Sequence, residues 1–356
     1  MNTTTSYEID LVKANTSKIS SVDFDNLTFG RVFTDHMFVC DFKDGCWQKP
    51  QIMPYQAMTF EPSARVFHYG QAVFEGMKAY KSEAGKVFLF RPQENFERIN
   101  KSAARMAIPE FPKEYFFNGL ETLLNLDDAW IKPGLDNSLY LRPFIIATEP
   151  AISASPAEEY RFMIICSPAK AYYNEPVRVL FAEKFSRSAD GGVGFAKAAG
   201  NYGAQFYPTS IAQKKGFQQI IWTDASTHEY LEEAGTMNIF FRIGDKLITA
   251  PNNDRILDGV TRKSVIQLAK DLDIECEVKR VSVKEIKDAA KEGSLKEIFG
   301  AGTAAVISPV SAFEHSGDVF EIPIADNSYA NLFKSTLLNI QHNLADDKHG
   351  WRHEVK

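Results

Sequence analysis

The sequence is short of the features that would place it in several large functional classes. Lysine and arginine total 40 against 46 aspartates and glutamates, a formal net charge of -6. A nucleic-acid electrostatic footprint is normally basic, so that class is disfavoured. No apolar run approaches the roughly 20 residues that span a bilayer. The opening stretch MNTTTSYEIDLVKANTSK has no apolar centre like that of a signal peptide, and it is not Arg-rich and acid-poor like a transit peptide. Cysteine is scarce. Cys40, Cys46, Cys166 and Cys276 are far apart, without CxxC or zinc spacing, and read as reduced thiols of a cytoplasmic protein. The seven histidines contain no HExxH-type pair, so no metal site is expected. No G-x-G-x-x-G opens a helix after an early strand, which argues against a dinucleotide fold.

What is present is 356 residues, 44% hydrophobic and 24% charged, the balance of a soluble globular protein with room for two domains. Residues 1–25 are polar and aperiodic and read as a peripheral arm. Met37–Phe42 followed by Lys43-Asp44-Gly45 predicts a strand and a hairpin turn. Val87–Phe90 reads as a strand, and Glu94–Met106 as a helix burying Phe96, Ile99, Ala103 and Met106. Arg98 falls well off that stripe, where it would serve as an exposed partner of Glu94. Ser138–Thr148 and Tyr160–Cys166 are β-branched and aromatic, hence strands. The pattern then breaks, which predicts a first domain over 26–167, a connection at 168–177 and a second domain over 178–356. In that second half Val177–Ala182, Gln219–Asp224, Met237–Arg242, Lys246–Ala250 and Val306–Val310 read as strands. A helix is expected from Gly259 to about Leu272, and a last one buries Phe333, Leu337, Ile340 and Leu344. The mixture predicts an α+β fold rather than regular βαβ alternation.

The stretch with most chemical content is Gly191–Gly203, where five glycines surround Lys197 and Tyr202 follows five residues later. Glycine lets backbone approach a ligand closely, and a desolvated lysine becomes a nucleophilic amine. It is not a P-loop, because Lys197 follows Ala196 and no Ser or Thr comes after it. The same pattern also describes a surface loop with a solvated lysine. Glu233, in EEAGTMN, sits at the entry to an apolar strand or is a charged turn residue. Leu257–Arg262 starts a helix whose free N–H groups suit a phosphate or need only an ordinary cap. Gly300–Ala305 is an anion-binding turn or a tight connection. The 27 phenylalanines serve a core or a wide apolar pocket, and composition does not separate the two.

Taken together, FGRVFTDHM, VFHYGQAVFEGMKAY, LFRPQENFERIN, SLYLRPFIIATEP, KAAGNYG, EEAGTMNIFF, ILDGVTR and FGAGTAAVISPV resemble the branched-chain amino acid aminotransferases. These are pyridoxal-phosphate enzymes of fold type IV, and the matches run in the family's order from about residue 26 to 345. The resemblance implies a two-domain fold with the active site between the domains. Lys197 matches the lysine that carries pyridoxal 5'-phosphate and shuttles the substrate proton. Glu233 matches the carboxylate facing the pyridine nitrogen, which makes the ring an electron sink. Tyr202 matches the partner of the ring's phenolic oxygen, and Arg98 the phosphate-binding arginine. Backbone amides at Val260 and Thr261 complete the phosphate cradle, with Thr236, Leu257, Gly259 and Thr303 also at cofactor positions.

For the substrate, Thr303 and Ala304 resemble the turn that holds the α-carboxylate. Phe29, Phe74, Tyr140 and Tyr172 resemble the apolar pocket wall, and Arg142 a pocket-mouth arginine that meets a distal carboxylate. Tyr69 and Ile152 match positions contributed by the neighbouring subunit of a homodimer. The implied activity is transfer of the amino group of leucine, isoleucine or valine to 2-oxoglutarate, in a ping-pong cycle via pyridoxamine phosphate. A D-amino acid aminotransferase or an aminodeoxychorismate lyase of the same fold is the alternative, which FTDHM and EEAGTMNIF disfavour. Where some relatives carry a Cys-x-x-Cys switch this chain has Ala305 and Ser308, so regulation by thiols is not expected there. Ala154 replaces a bulkier residue of some relatives, which leaves pocket width open.

Overall fold

The computed structural model describes residues 8–170 and 175–356. They fall into two compact units, the described residues of Met1–Tyr172 with Asn339–Lys356, and those of Tyr173–Leu338.

The first unit is built on a mostly antiparallel sheet. Its strands run in the order Asp10–Leu11, Gln51–Pro54, His36–Lys43, Tyr160–Ala169, Ser138–Ala147, Met77–Lys81, Val87–Phe90 and Arg352–Glu354. Two-residue periodicity sorts its side chains. From His36–Lys43, Phe38 and Cys40 enter the main core with the helices Pro92–Arg105 and Lys113–Leu126, while Met37 and Val39 join a smaller cluster with Met163. From Ser138–Ala147, Leu139, Leu141, Ile145 and Ala147 enter the main core. Tyr140 and Arg142 alternate with them, and so take the opposite face. The hairpin expected at Lys43–Gly45 is present, with positive φ at Asp44 (53°) and Gly45 (78°), and Cys46–Trp47 pairs back on the strand.

The second unit closes on itself. Its path runs Asn238–Ile243, Leu295–Gly302, Val306–His315, Val177–Phe181, Gln219–Thr223 and Tyr230–Ala234, and the pairing of Glu233 with Asn238 returns it to its start. Val177, Val179, Phe181, Ile221, Ile239, Phe241, Val310 and Phe313 share its main core. The helix Val260–Asp271 follows Gly259, and the helix Tyr329–Gln341 brings Phe333 against Phe299. Lys197 lies in the connection between Val177–Phe181 and Gln219–Thr223.

Two features differ from the sequence expectation. Asn339–Lys356 groups with the first unit rather than with the rest of 178–356, because Arg352–Glu354 pairs with Phe88–Phe90. Leu344 is not on the last helix's buried face: the helix ends at Gln341 and Leu344 is 56% exposed. The described part of the N-terminal arm is tied down, since Asp10–Leu11 pairs with Gln51–Ile52 and the Ala14 N–H donates to His36 Nε2 at 2.9 Å. Of the expected connection, 171–174 lie outside the described residues, Ala169 still belongs to a strand, and Val177 opens the next. All four cysteines are free. Among the described residues no helix is long and apolar enough to cross a membrane, and no group of three or more His, Cys, Asp or Glu could hold a metal ion.

Candidate active site

In the second unit, the loop before Lys197 is held by close contacts that only glycine allows. Gly191 has φ of 69°, and a Cβ on Gly194 would stand 2.4 Å from the Arg255 carbonyl oxygen. Gly200 and Gly203 meet nothing within 4 Å, so they are not needed for close approach. The Asn201 side chain donates to the carbonyls of Val193 (2.8 Å) and Ala196 (2.9 Å), stapling the loop on both sides of Phe195. Half-buried Lys197 lies between buried Ala196 and Ala198, and its Nζ donates to the Tyr202 hydroxyl at 2.8 Å.

Glu233 is 4% exposed. Its Oε1 accepts from the Leu257 N–H at 3.0 Å and lies 2.8 Å from Arg187 Nη1, and its Oε2 accepts from Asn238 Nδ2 at 3.3 Å. Burial pushes the Glu233 carboxyl above the usual carboxylate range. Arg187, the Leu257 N–H and Lys197 pull against that rise. Asn238 also donates to the Leu257 carbonyl at 2.9 Å, and a Cβ on Gly259 would stand 1.9 Å from its Oδ1. Gly259 caps the helix Val260–Asp271, and having no side chain it leaves the first-turn N–H groups, near buried Val260 and Thr261, without a side-chain cap.

The Gly302–Val306 turn carries half-buried Thr303 and Ala304 between its two strands. Val306 has φ of 59°, rare for a β-branched residue, and Gly302 packs where a Cβ would lie 2.9 Å from the Thr236 carbonyl oxygen. Thr236 itself is exposed.

The first unit gathers the other expected residues. Arg98 is not the exposed partner of Glu94, which pairs with Arg91 at 2.7 Å. It is 8% exposed and bonds Glu75 twice, Nε to Oε1 and Nη2 to Oε2, both at 2.7 Å, while Asn95 donates to Oε2 at 2.7 Å. Tyr140 packs edge-on against Phe29 at 5.0 Å, and its hydroxyl accepts from Arg142 Nη2 at 3.0 Å. The Arg142 guanidinium lies over the rings of Phe74 (4.8 Å) and Tyr140 (5.4 Å). Gly76 is required beneath, since a Cβ there would stand 2.1 Å from the Tyr140 hydroxyl. The exposed Tyr69 donates its O–H to the carbonyl of exposed Ile152. Tyr172 lies outside the described residues.

The model of the class IV amino-transferases matches residues 72–313. A relative from Bacillus subtilis named branched-chain-amino-acid aminotransferase 2 is 42% identical over 349 residues, 97% of this chain and 96% of its own. The chain belongs to the class IV aminotransferases. Its similarity to that relative makes it an enzyme of the branched-chain-amino-acid aminotransferase kind, with the mixed two-domain fold expected from the motifs. Two solved branched-chain aminotransferases share the fold. The branched-chain aminotransferase from Thermoproteus uzoniensis with norvaline has a TM-score of 0.74 at 24% identity, covering 90% of this chain and 100% of that one. The one from Thermobaculum terrenum in PLP-form (holo-form) has a TM-score of 0.71 at 19% identity, covering 90% and 98%.

Class IV aminotransferases use pyridoxal phosphate, and this chain's residues fit the group. An amine, a hydroxyl, a buried carboxylate and a helix start without a side-chain cap are the donor set it requires. Two residues of this neighbourhood were not legible beforehand. Asn238 reads as a strand residue, and Arg187 stands in the polar FSRSAD with no spacing that links it to Glu233.

Proposed function

We propose that the chain transfers the amino group of leucine, isoleucine or valine to 2-oxoglutarate, reversibly, giving the branched 2-oxo acid and glutamate. Pyridoxal 5'-phosphate is its cofactor. The observation that carries this reading is the Lys197 amine at 2.8 Å from the Tyr202 hydroxyl, in a unit where Glu233 is buried and within reach of the Lys197 charge. When bound, the cofactor supplies a sink for the electron pair left on the substrate Cα.

The chain's own residues do the rest. Lys197 Nζ takes the proton from the substrate Cα, and Tyr202 orients that amine through its hydroxyl. Glu233 offers an acceptor to the ring N–H. Val260 and Thr261 hold phosphate through the helix start, and Arg98, fixed by Glu75, adds positive charge. Thr236, Leu257, Gly259 and Thr303 line the cofactor, and the Thr303–Ala304 turn holds the α-carboxylate. Phe29, Phe74 and Tyr140 supply an apolar wall, which suits a branched side chain, and Arg142 among them meets the γ-carboxylate of glutamate. Norvaline in the Thermoproteus uzoniensis relative supports an apolar substrate. Exposed Tyr69 and Ile152 suit a homodimer in which they reach the neighbouring site, and the protein works in the cytoplasm.

The test is spectroscopic. The purified protein with cofactor is expected to show a visible band that borohydride abolishes and that each branched-chain amino acid bleaches in a single half-reaction. Lys197→Ala removes the covalent linkage. A linkage that persists in Lys197→Ala, or bleaching by D- but not L-amino acids, overturns the reading.

A further inference from the structure

The group that touches Glu233 with full opposite charge is a residue with no role so far. Arg187 is 8% exposed, and its Nη1 donates to the Gly194 carbonyl at 3.1 Å and to the Arg255 carbonyl at 2.9 Å. That nitrogen has two hydrogens, and two carbonyls take them. The guanidinium is therefore anchored by backbone on both sides, once to the loop that carries Lys197 and once to the loop that leads to Leu257. Its charge then rests 2.8 Å from Glu233 Oε1. Oε1 is crowded by Arg187 and the Leu257 N–H, whereas Oε2 has the longer contact, 3.3 Å to Asn238. Neighbouring Glu232 has its own close arginine, Arg255, which also meets Asp190, and feels Arg187 only as a weaker charge.

We infer that Arg187 is a positioning residue for the reaction: anchored by the carbonyls of Gly194 and Arg255, it clamps Glu233 through Oε1 as a carboxylate and keeps Oε2 for the cofactor's ring nitrogen. The inference rests on the pyridoxal-phosphate reading above. Its physical basis is that a carboxylate taken out of water stays ionised only with a paired charge or several donors. The other charges that act on Glu233 are Lys197, which favours the anion, Glu232, which opposes it, and the more distant Arg262. Burial drives Glu233 toward its neutral form, and Arg187 is the strongest influence against that. A neutral Glu233 would still make a hydrogen bond, but it would no longer hold the ring nitrogen protonated.

The experiment compares Arg187→Met and Arg187→Lys with the unaltered protein. In the cofactor-free protein, infrared spectra with labelled glutamate are expected to show a protonated carboxyl band at neutral pH in Arg187→Met, which Glu233→Gln removes. In the loaded protein, the nitrogen shift of pyridine-labelled cofactor should move to the unprotonated range. Half-reaction kcat should fall by roughly tenfold or more, the effect of about one pKa unit, with little change in KM. Arg187→Lys, which keeps the charge, recovers part of each. If Arg187→Met does not fold, the Lys variant decides by itself: the inference requires its nitrogen shift and kcat to fall between those of the unaltered protein and Glu233→Gln. A carboxylate that stays ionised and a ring nitrogen that stays protonated without Arg187 would overturn the inference. Failure of the cofactor reading looks different, because Glu233→Gln would then leave spectrum and rate untouched while the carboxyl band still reported on the Arg187–Glu233 pair.

Discussion

Removing Glu75 should destabilise the first unit more than any surface change can. Glu75 is fully buried and its carboxylate receives N–H groups from Arg98 twice and from Asn95, each at 2.7 Å, and from the Gly76 backbone at 3.2 Å. Glu75→Leu keeps much of the volume and deletes the counter-charge beside a buried guanidinium. Breaking one side of such a pair costs about 3–5 kcal/mol. Glu75→Gln is milder, about 1–3 kcal/mol, because its amide turns one acceptor into a donor facing an Arg98 N–H. Glu75→Leu with Arg98→Met removes both charges, and is expected to be more stable than Glu75→Leu alone. The assay is urea unfolding of the cofactor-free protein by tryptophan fluorescence. Trp47, Trp130 and Trp351 all belong to this unit and Trp222 to the other, so the signal mainly follows the right part. If the losses of Glu75→Leu and Arg98→Met simply add in the double variant, the two side chains are not an interacting pair and the reasoning is refuted.

Two further predictions concern other places. Gly259→Ala must push Asn238 off its bonds to Glu233 and Leu257, since the new Cβ would lie 1.9 Å from Asn238 Oδ1. It should cost about 1–3 kcal/mol of stability and weaken cofactor binding, whereas Gly200→Ala, helical and with nothing within 4 Å, should be neutral or gain about 0.5–1 kcal/mol; thermal melts and cofactor titration check both. Asp224 sits in a turn where burial raises its carboxyl, but the N–H groups of Tyr230 and Thr227 and the hydroxyls of Ser226 and Thr227 together hold it well below the usual carboxylate range. A depressed folded-state value contributes stability present above the unfolded value and lost as pH falls through the folded one, so acid should erode the difference between this protein and Asp224→Asn. Equal acid sensitivity of the two would count against that role.

Much of this protein can be read from its sequence. β-Branched and aromatic content placed strands at Ser138–Thr148 and Tyr160–Cys166, where Ser138–Ala147 and Tyr160–Ala169 form, and the helical period gave Phe96, Ile99 and Ala103 their buried stripe, because both signals are local. The Lys197–Tyr202 pair was within reach for the same reason: five residues apart, they are brought together by one short helical turn. The order of the motifs carried the family. Charge partnership was not legible, because it joins residues that are distant in the chain. Arg98 looked exposed by helical phase, yet Glu75, 23 residues earlier between the strands Ala72–Phe74 and Met77–Lys81, meets it in the interior. Arg187 looked like a polar loop residue until folding brought Glu233, Gly194 and Arg255 around its guanidinium. The sequence by itself determined which elements form and which family the chain belongs to. Only the tertiary structure decided which buried charges face each other, because at a few ångströms in a poorly solvated interior that pairing sets the ionisation of each group.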